Sequence, residues 1–129
     1  MTWGLNKLTI IGKVGRNPEK RFTQSGKAVA NFSVMVNRSW RTASGEQHEE
    51  QEWFTVVAWD RLADICYSLL KKDILVYIEG PVHTRSWKDD NGVTRSIIEV
   101  VADDMRVLCD HNLPVAQADD DESIDSYAF

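Results

Sequence analysis

The chain has 129 residues, 43% hydrophobic and 27% charged, with a formal net charge of −5. This length allows one domain and at most a tail, and the composition is that of an ordinary globular protein. No apolar run approaches the roughly 18 residues of a membrane span, and Met1-Thr2-Trp3-Gly4 lacks the basic and apolar parts of a secretory signal. A cytoplasmic protein without a membrane partner is expected.

Cys66 and Cys109 form no CxxC motif and are expected as reduced thiols. His48, His83 and His111 fall in no ligand-spaced cluster, so no metal site is expected. The negative net charge argues against a nucleic-acid partner until its distribution is examined. Five acids and no base lie beyond residue 112, leaving residues 1–112 with 15 acids and 15 bases. Within residues 1–45 there are eight bases and one acid. A neutral body with one basic portion can bind phosphates locally.

In chain order, LNKLTIIGKVG (5–15) is expected as a strand and Arg16-Asn17-Pro18 as a loop. KRFTQSGKAVANFSVMVN should form a hairpin turning at Ser25-Gly26. In its second strand Ala30, Phe32, Val34 and Val36 face the core, and Asn31, Ser33 and Asn37 face away. Residues 40–51 are polar and suggest a loop. EWFTVVAWD (52–60) alternates as a strand, with Trp53, Thr55, Val57 and Trp59 on one face and Phe54, Val56 and Ala58 on the other.

DRLADICYSLLKK (60–72) switches to helical spacing, with Asp60 as N-cap and Lys71 and Lys72 at the favourable end of the dipole. ILVYIEG then suggests a buried strand, and Asn91-Gly92 a hairpin turn between two long strands. Residues 105–109 suggest a last short strand, and no internal repeat is visible. Past Leu113 the chain loses periodicity and turns acidic, which predicts disorder. The expected organisation is a domain over residues 1–112 and a tail over 113–129. The fold class is all-β: a five-stranded OB-fold Greek-key barrel with one short helix between strands three and four.

The tryptophans are the informative residues. Trp40 sits between Arg38 and Arg41, and Trp87 lies two residues beyond Arg85 in a polar segment near a turn. Core filling suits neither setting, whereas aromatics interleaved with bases suit single-stranded nucleic acid. Bases stack on indoles whatever their identity, and Lys and Arg track the phosphates. Duplex DNA keeps its bases stacked already, and an oligosaccharide offers no anionic backbone.

NKLTIIGKVGRNPEKRF, GKAVANFSV, SWR, EWFTVVAWDRLADI, VYIEGPVHTRSW and DDNG, in that order over roughly residues 4–109, resemble bacterial single-stranded DNA-binding proteins. The resemblance implies a homotetrameric OB-fold that binds single strands without sequence preference in replication, recombination and repair. It implies neither enzyme activity nor a cofactor. The family's stacking aromatics fall on Trp40, Trp53, Trp59 and Trp87, the third replacing a frequent phenylalanine. Asn6, Lys7, Arg21, Arg61, Lys72 and Arg85 match polar or basic positions along the family's DNA path.

Members also end in an acidic tail with a hydrophobic tip that docks replication and repair proteins. Asp119, Asp120, Asp121, Asp125 and Phe129 match that pattern, while Tyr127-Ala128 replaces the usual aliphatic residue and proline. The long Gly/Pro/Gln-rich linker of the family is reduced to LPVAQA. Two other functions fit the same residues. In one, an OB-fold adaptor buries the tryptophans against a protein; in the other, a single-stranded RNA binder contacts the 2′-hydroxyl.

Overall fold

Apolar side chains at Ala30, Phe32, Val34 and Val36, with Asn31 and Ser33 between them, start the longest strand pairing among the described residues. The structure, a computed structural model, describes residues 3–110. The acidic segment, including Asp119, Asp120, Asp121, Asp125 and Phe129, lies outside the described residues, as does its expected disorder. Strands β1 (Leu8–Val14), β2 (Glu19–Phe22), β3 (Ala28–Arg41) and β4 (Gln47–Trp59) are followed by helix α1 (Asp60–Leu69). Strands β5 (Leu75–Gly80), β6 (Val82–Lys88), β7 (Thr94–Val101) and β8 (Asp104–Cys109) complete the chain.

The described residues therefore hold eight strand segments and one helix, not five unbroken strands. Two breaks account for much of the difference. Pro81, which has no N–H to donate, separates β5 from β6, and Ala102-Asp103 separates β7 from β8. The sheet runs β6-β7-β4-β3-β1-β5-β8, with β2 on β3; every pairing is antiparallel except β4 with β7. Because β7 borders β4 and β8 borders β5, residues 94–109 connect the two ends of the row.

Residues 40–51 are mostly strand, which corrects the expected loop. β3 and β4 pair in thirteen unbroken register positions from Val29↔Trp59 to Arg41↔Gln47. The outer part of this hairpin is wet on both faces, so no apolar alternation marks it in the sequence.

A short motif missed in the sequence recurs at three hairpin tips: Thr23-Gln-Ser-Gly26, Thr42-Ala-Ser-Gly45 and Asp89-Asp-Asn-Gly92. In each, the glycine N–H donates to the carbonyl of the first residue at 2.9–3.0 Å. The glycines sit at φ of 87°, 87° and 77°, which an L side chain rarely adopts. The hairpin expected at Asn91-Gly92 is present, its tip a four-residue turn closed by a left-handed glycine. The side chains of Thr23, Thr42 and Asp89 accept from the N–H one residue beyond the glycine, at 3.2, 3.2 and 3.0 Å.

Phe32, Val34, Val56, Val76 and Ile78 are fully buried in the main core, joined by Cys66 and Leu70 from the helix side. Burying a side chain of this size contributes about 1.5–3 kcal/mol. Ala63 of α1 packs against Ala28 and Ala30, where only small side chains let helix and sheet meet closely. Burial pushes the Cys66 thiol up to about 12, so it is neutral and a filler of space.

Two expectations about α1 fail. Asp60 is its first residue, not its cap; Trp59 holds the N-cap position and makes no side-chain cap bond. Asp60 instead takes φ 55°, a left-handed conformation that aspartate tolerates better than most residues. It turns the chain sharply from strand to helix. Lys71 and Lys72 lie beyond the helix end, whose last turn holds no base.

Candidate nucleic-acid interface

Residues paired across a ladder share a face of the sheet. Met35↔Trp53, Ser33↔Thr55, Asn31↔Val57 and Val29↔Trp59 therefore form one face. The parallel pair Thr55↔Glu99 extends it to β7, and His83↔Glu99, Arg85↔Ile97 and Trp87↔Arg95 extend it to β6. Trp53, Trp59, Arg85 and Trp87 thus lie on one side of the sheet, as their even spacings require.

Trp53, Trp59 and Trp87 are 57%, 40% and 43% exposed. A Cβ added at Gly15 would strike the Trp53 ring, so one side of the indole rests on the Gly15 backbone. The Arg85 guanidinium carbon lies 5.0 Å from the centre of the Trp87 ring. Its Nε donates to Glu99 Oε1 at 3.3 Å, which fixes the arginine between indole and carboxylate.

Arg21, Phe22, Val29, Asn31, Trp59, Arg85 and Glu99 line a groove of about 420 Å³ that is open along one side. Val57 and Val29 form an apolar floor, Trp59 a wall, and the guanidiniums of Arg21 and Arg85 supply positive charge. Arg21 reaches this side because it pairs with Val29. Such a groove offers stacking surface, cation and amide hydrogen bonding in one place, which an extended polyanion with flat bases requires.

Trp40 lies elsewhere. It pairs with His48 on the opposite sheet face, the side of Arg38↔Glu50 and Val36↔Glu52. Its ring stacks on His48 at 5.7 Å and 24°, with the Arg38 guanidinium carbon 4.8 Å from its centre. His48 Nε2 is 3.7 Å from Glu46 Oε2. Arg38 thus stays beside the Trp40 ring, and β4 and the turn before it add Glu46 and Glu50 to the same surroundings.

The polar residues are spread more widely. The Asn6 side chain accepts from the Val82 N–H at 2.9 Å and donates to its carbonyl at 2.8 Å, acting as a latch on β6. Lys7 pairs with Glu79 at 2.5 Å, and that hydrogen bond holds its pKa above the ordinary lysine value. Arg61 is exposed in the first turn of α1. Lys72 follows the helix, its backbone N–H donating to Asn17 Oδ1 at 2.9 Å. Phe22, Asn31 and Glu99 were not among the expected site residues; alternation along β3 marked Asn31 only as outward-facing, and Phe22 would have been taken for core.

The family model described as the single-strand binding protein family matches residues 5–108. The chain belongs to that family. Single-stranded DNA-binding protein 1 of Chlorobaculum tepidum is 45% identical over 109 residues, covering 84% of this chain and 67% of that protein. The single-stranded DNA-binding protein of Neisseria meningitidis serogroup A is 38% identical over 108 residues, covering 84% of this chain and 62% of its own length. The match thus spans less than two thirds of the Neisseria protein. Among solved structures, the Plasmodium falciparum SSB in complex with ssDNA superposes with a TM-score of 0.77 at 30% identity, over 84% of this chain and 99% of that one. The single-strand binding family is one of DNA-binding proteins, and the mostly-strand fold with one short helix agrees with that solved member. Among the described residues no helix is long and apolar enough to cross a membrane.

Proposed function

We propose that the chain binds single-stranded DNA without sequence preference. Bases stack on Trp53, Trp59 and Trp87, with Arg21 and Arg85 taking phosphates and Trp40 serving as an outlying contact. Arg61 on α1 and Lys72 just beyond it extend the cationic track, while Asn6 and Lys7 shape its margin, the first bonded to β6 and the second to β5. The same proposal takes the eight segments as five barrel strands, with β1–β2, β5–β6 and β7–β8 each counted as one, in a domain over residues 1–112. It further assigns residues 113–129 as a tail whose Asp119, Asp120, Asp121, Asp125 and Phe129 dock replication and repair proteins. A homotetramer acting on cytoplasmic, nucleoid DNA in replication, recombination and repair completes the proposal.

The observation that carries it is the groove in which Trp59, Arg21 and Arg85 meet on the face shared by Trp53 and Trp87. The test is a tryptophan-fluorescence titration with oligo-dT at low and high salt, beside duplex and RNA of the same length. Strong quenching by the DNA single strand, weakened by salt and absent with duplex, is the expected result. Unquenched indoles in a folded protein would refute it, and equal quenching by RNA would refute a preference for DNA.

A further inference from the structure

The groove has a neighbour on the helix side of β2 that it does not include. Along β2, Arg21 pairs with Val29 and faces the groove, while Lys20↔Ala30 and Phe22↔Ala28 face α1. Phe22 is 67% exposed and also forms part of the groove rim. Beyond it, Lys20 Nζ lies 5.3 Å from the centre of the Phe22 ring and 5.7 Å from that of Tyr67, which is 53% exposed on α1. The same ammonium is 2.6 Å from Asp64 Oδ1. Two exposed rings with a cation between them therefore begin where the groove ends.

Resting on the single-stranded DNA reading above, we propose that Phe22, Lys20 and Tyr67 form an exit subsite. It receives the next nucleotides of a single strand that leaves the groove over the edge of β2. Three features favour nucleic acid here. The aromatics are exposed although an apolar core lies directly behind the strand. They continue from the groove with no intervening acid on β2 between Lys20 and Phe22. Among the described residues, the carboxylate paired with the cation is Asp64, whose side chain is 57% exposed against 24% for Lys20; an ion pair open to water on one side is weak, so an incoming phosphate can replace it. Lys20 then neutralises the backbone, and Phe22 and Tyr67 stack bases.

The test is a length series of oligo-dT against the full chain and three variants, with thermal unfolding to confirm the fold. Tyr67→Ala should match the parent on oligomers that only fill the groove, and bind oligomers long enough to pass β2 roughly five- to tenfold more weakly. Tyr67→Phe, which keeps the ring, should restore binding. Asp64→Asn, which releases Lys20, should tighten long-oligomer binding and steepen its salt slope by up to about 0.7. Parent-like binding by Tyr67→Ala and Asp64→Asn at every length would overturn the subsite. So would an equal loss at all lengths, or a change in oligomeric state that accounts for it. A parent that binds no single strand at any length would refute the underlying function instead, which separates the two failures.

Discussion

The two ends of the β3–β4 hairpin share one continuous ladder but have opposite electrostatics. At the inner end, Trp59 stands in a groove with Arg21 and Arg85, where Glu99 is the one acid among the lining residues. At the free end, Trp40 and His48 share a face with Arg38 and Glu50, with Glu46 beside His48 and Glu52 farther along the strand. In sequence Trp40 has basic neighbours on both sides and Trp59 is followed by an aspartate. Strand pairing reverses the ranking, because a residue in a sheet meets its cross-strand partner more closely than most of its chain neighbours. A stacking residue therefore has to be judged with the charges across the ladder.

The largest expected effect tests that ranking. Trp59→Ala and Trp53→Ala should each weaken oligo-dT binding by about 1–3 kcal/mol, roughly 5- to 150-fold. Trp40→Ala should cost less than about 1 kcal/mol at neutral pH. Fluorescence anisotropy with labelled oligo-dT measures all three, and a Trp40 loss as large as that of Trp59 would break the comparison.

Gly15→Ala sharpens it next. The added methyl group must displace the Trp53 ring, so affinity should fall by about half of the Trp53→Ala free energy. The near-ultraviolet circular dichroism should change at the same time; unchanged spectrum and affinity would show that the indole does not depend on its Gly15 support.

A smaller and opposite effect is expected at the arm. Glu50→Gln with Glu52→Gln should tighten binding two- to fivefold, within the range for exposed charges, with the gain fading above about 0.3 M salt. A loss of affinity would mean that these acids help to hold the arm against DNA.

The smallest effect concerns the β6–β7 tip beside Trp87. The Arg95 guanidinium, 2.9 Å from Asp89, and then the Val93 and Asn91 N–H groups hold the Asp89 carboxyl below the ordinary carboxylate value. A lowered pKa in the folded state means that this stabilisation is present above the ordinary value and is lost as pH falls through the lowered one. Asp89→Asn should flatten the acid limb of stability below about pH 4, seen in unfolding midpoints, and leave binding at neutral pH unchanged. An acid limb as steep as the parent's would assign it to other carboxylates.

Most of the sheet was legible in the sequence, because Ala30, Phe32, Val34 and Val56 repeat every two residues and strand faces follow from parity alone. The outer β3–β4 arm was not legible, since a mostly polar, wet ladder leaves no apolar alternation. The latch of Asn6 on Val82, 76 positions away, was not legible either, because no local pattern links the two residues. Of the site, each tryptophan could be picked out singly, and the common face of Trp53 and Trp59 followed from their spacing. What spacing could not supply was the meeting of Arg21 with Trp59 and Arg85, which depends on β2, β4 and β6 converging through β3 and β7. Phe22 escaped because an aromatic on a short edge strand has the composition of a core residue, and only its exposure shows otherwise.

In the stacking mode proposed above, the seating of Trp53 on Gly15 affects how quickly a strand can be captured. An indole swinging through several rotamers must be frozen each time a base lands on it, an ordering cost that recurs with every encounter. Against the bare backbone of Gly15 that freezing takes place once, during folding, and the open side of the ring is already aimed when DNA arrives. The absent side chain of one glycine thereby makes the neighbouring tryptophan a fixed surface for arriving bases.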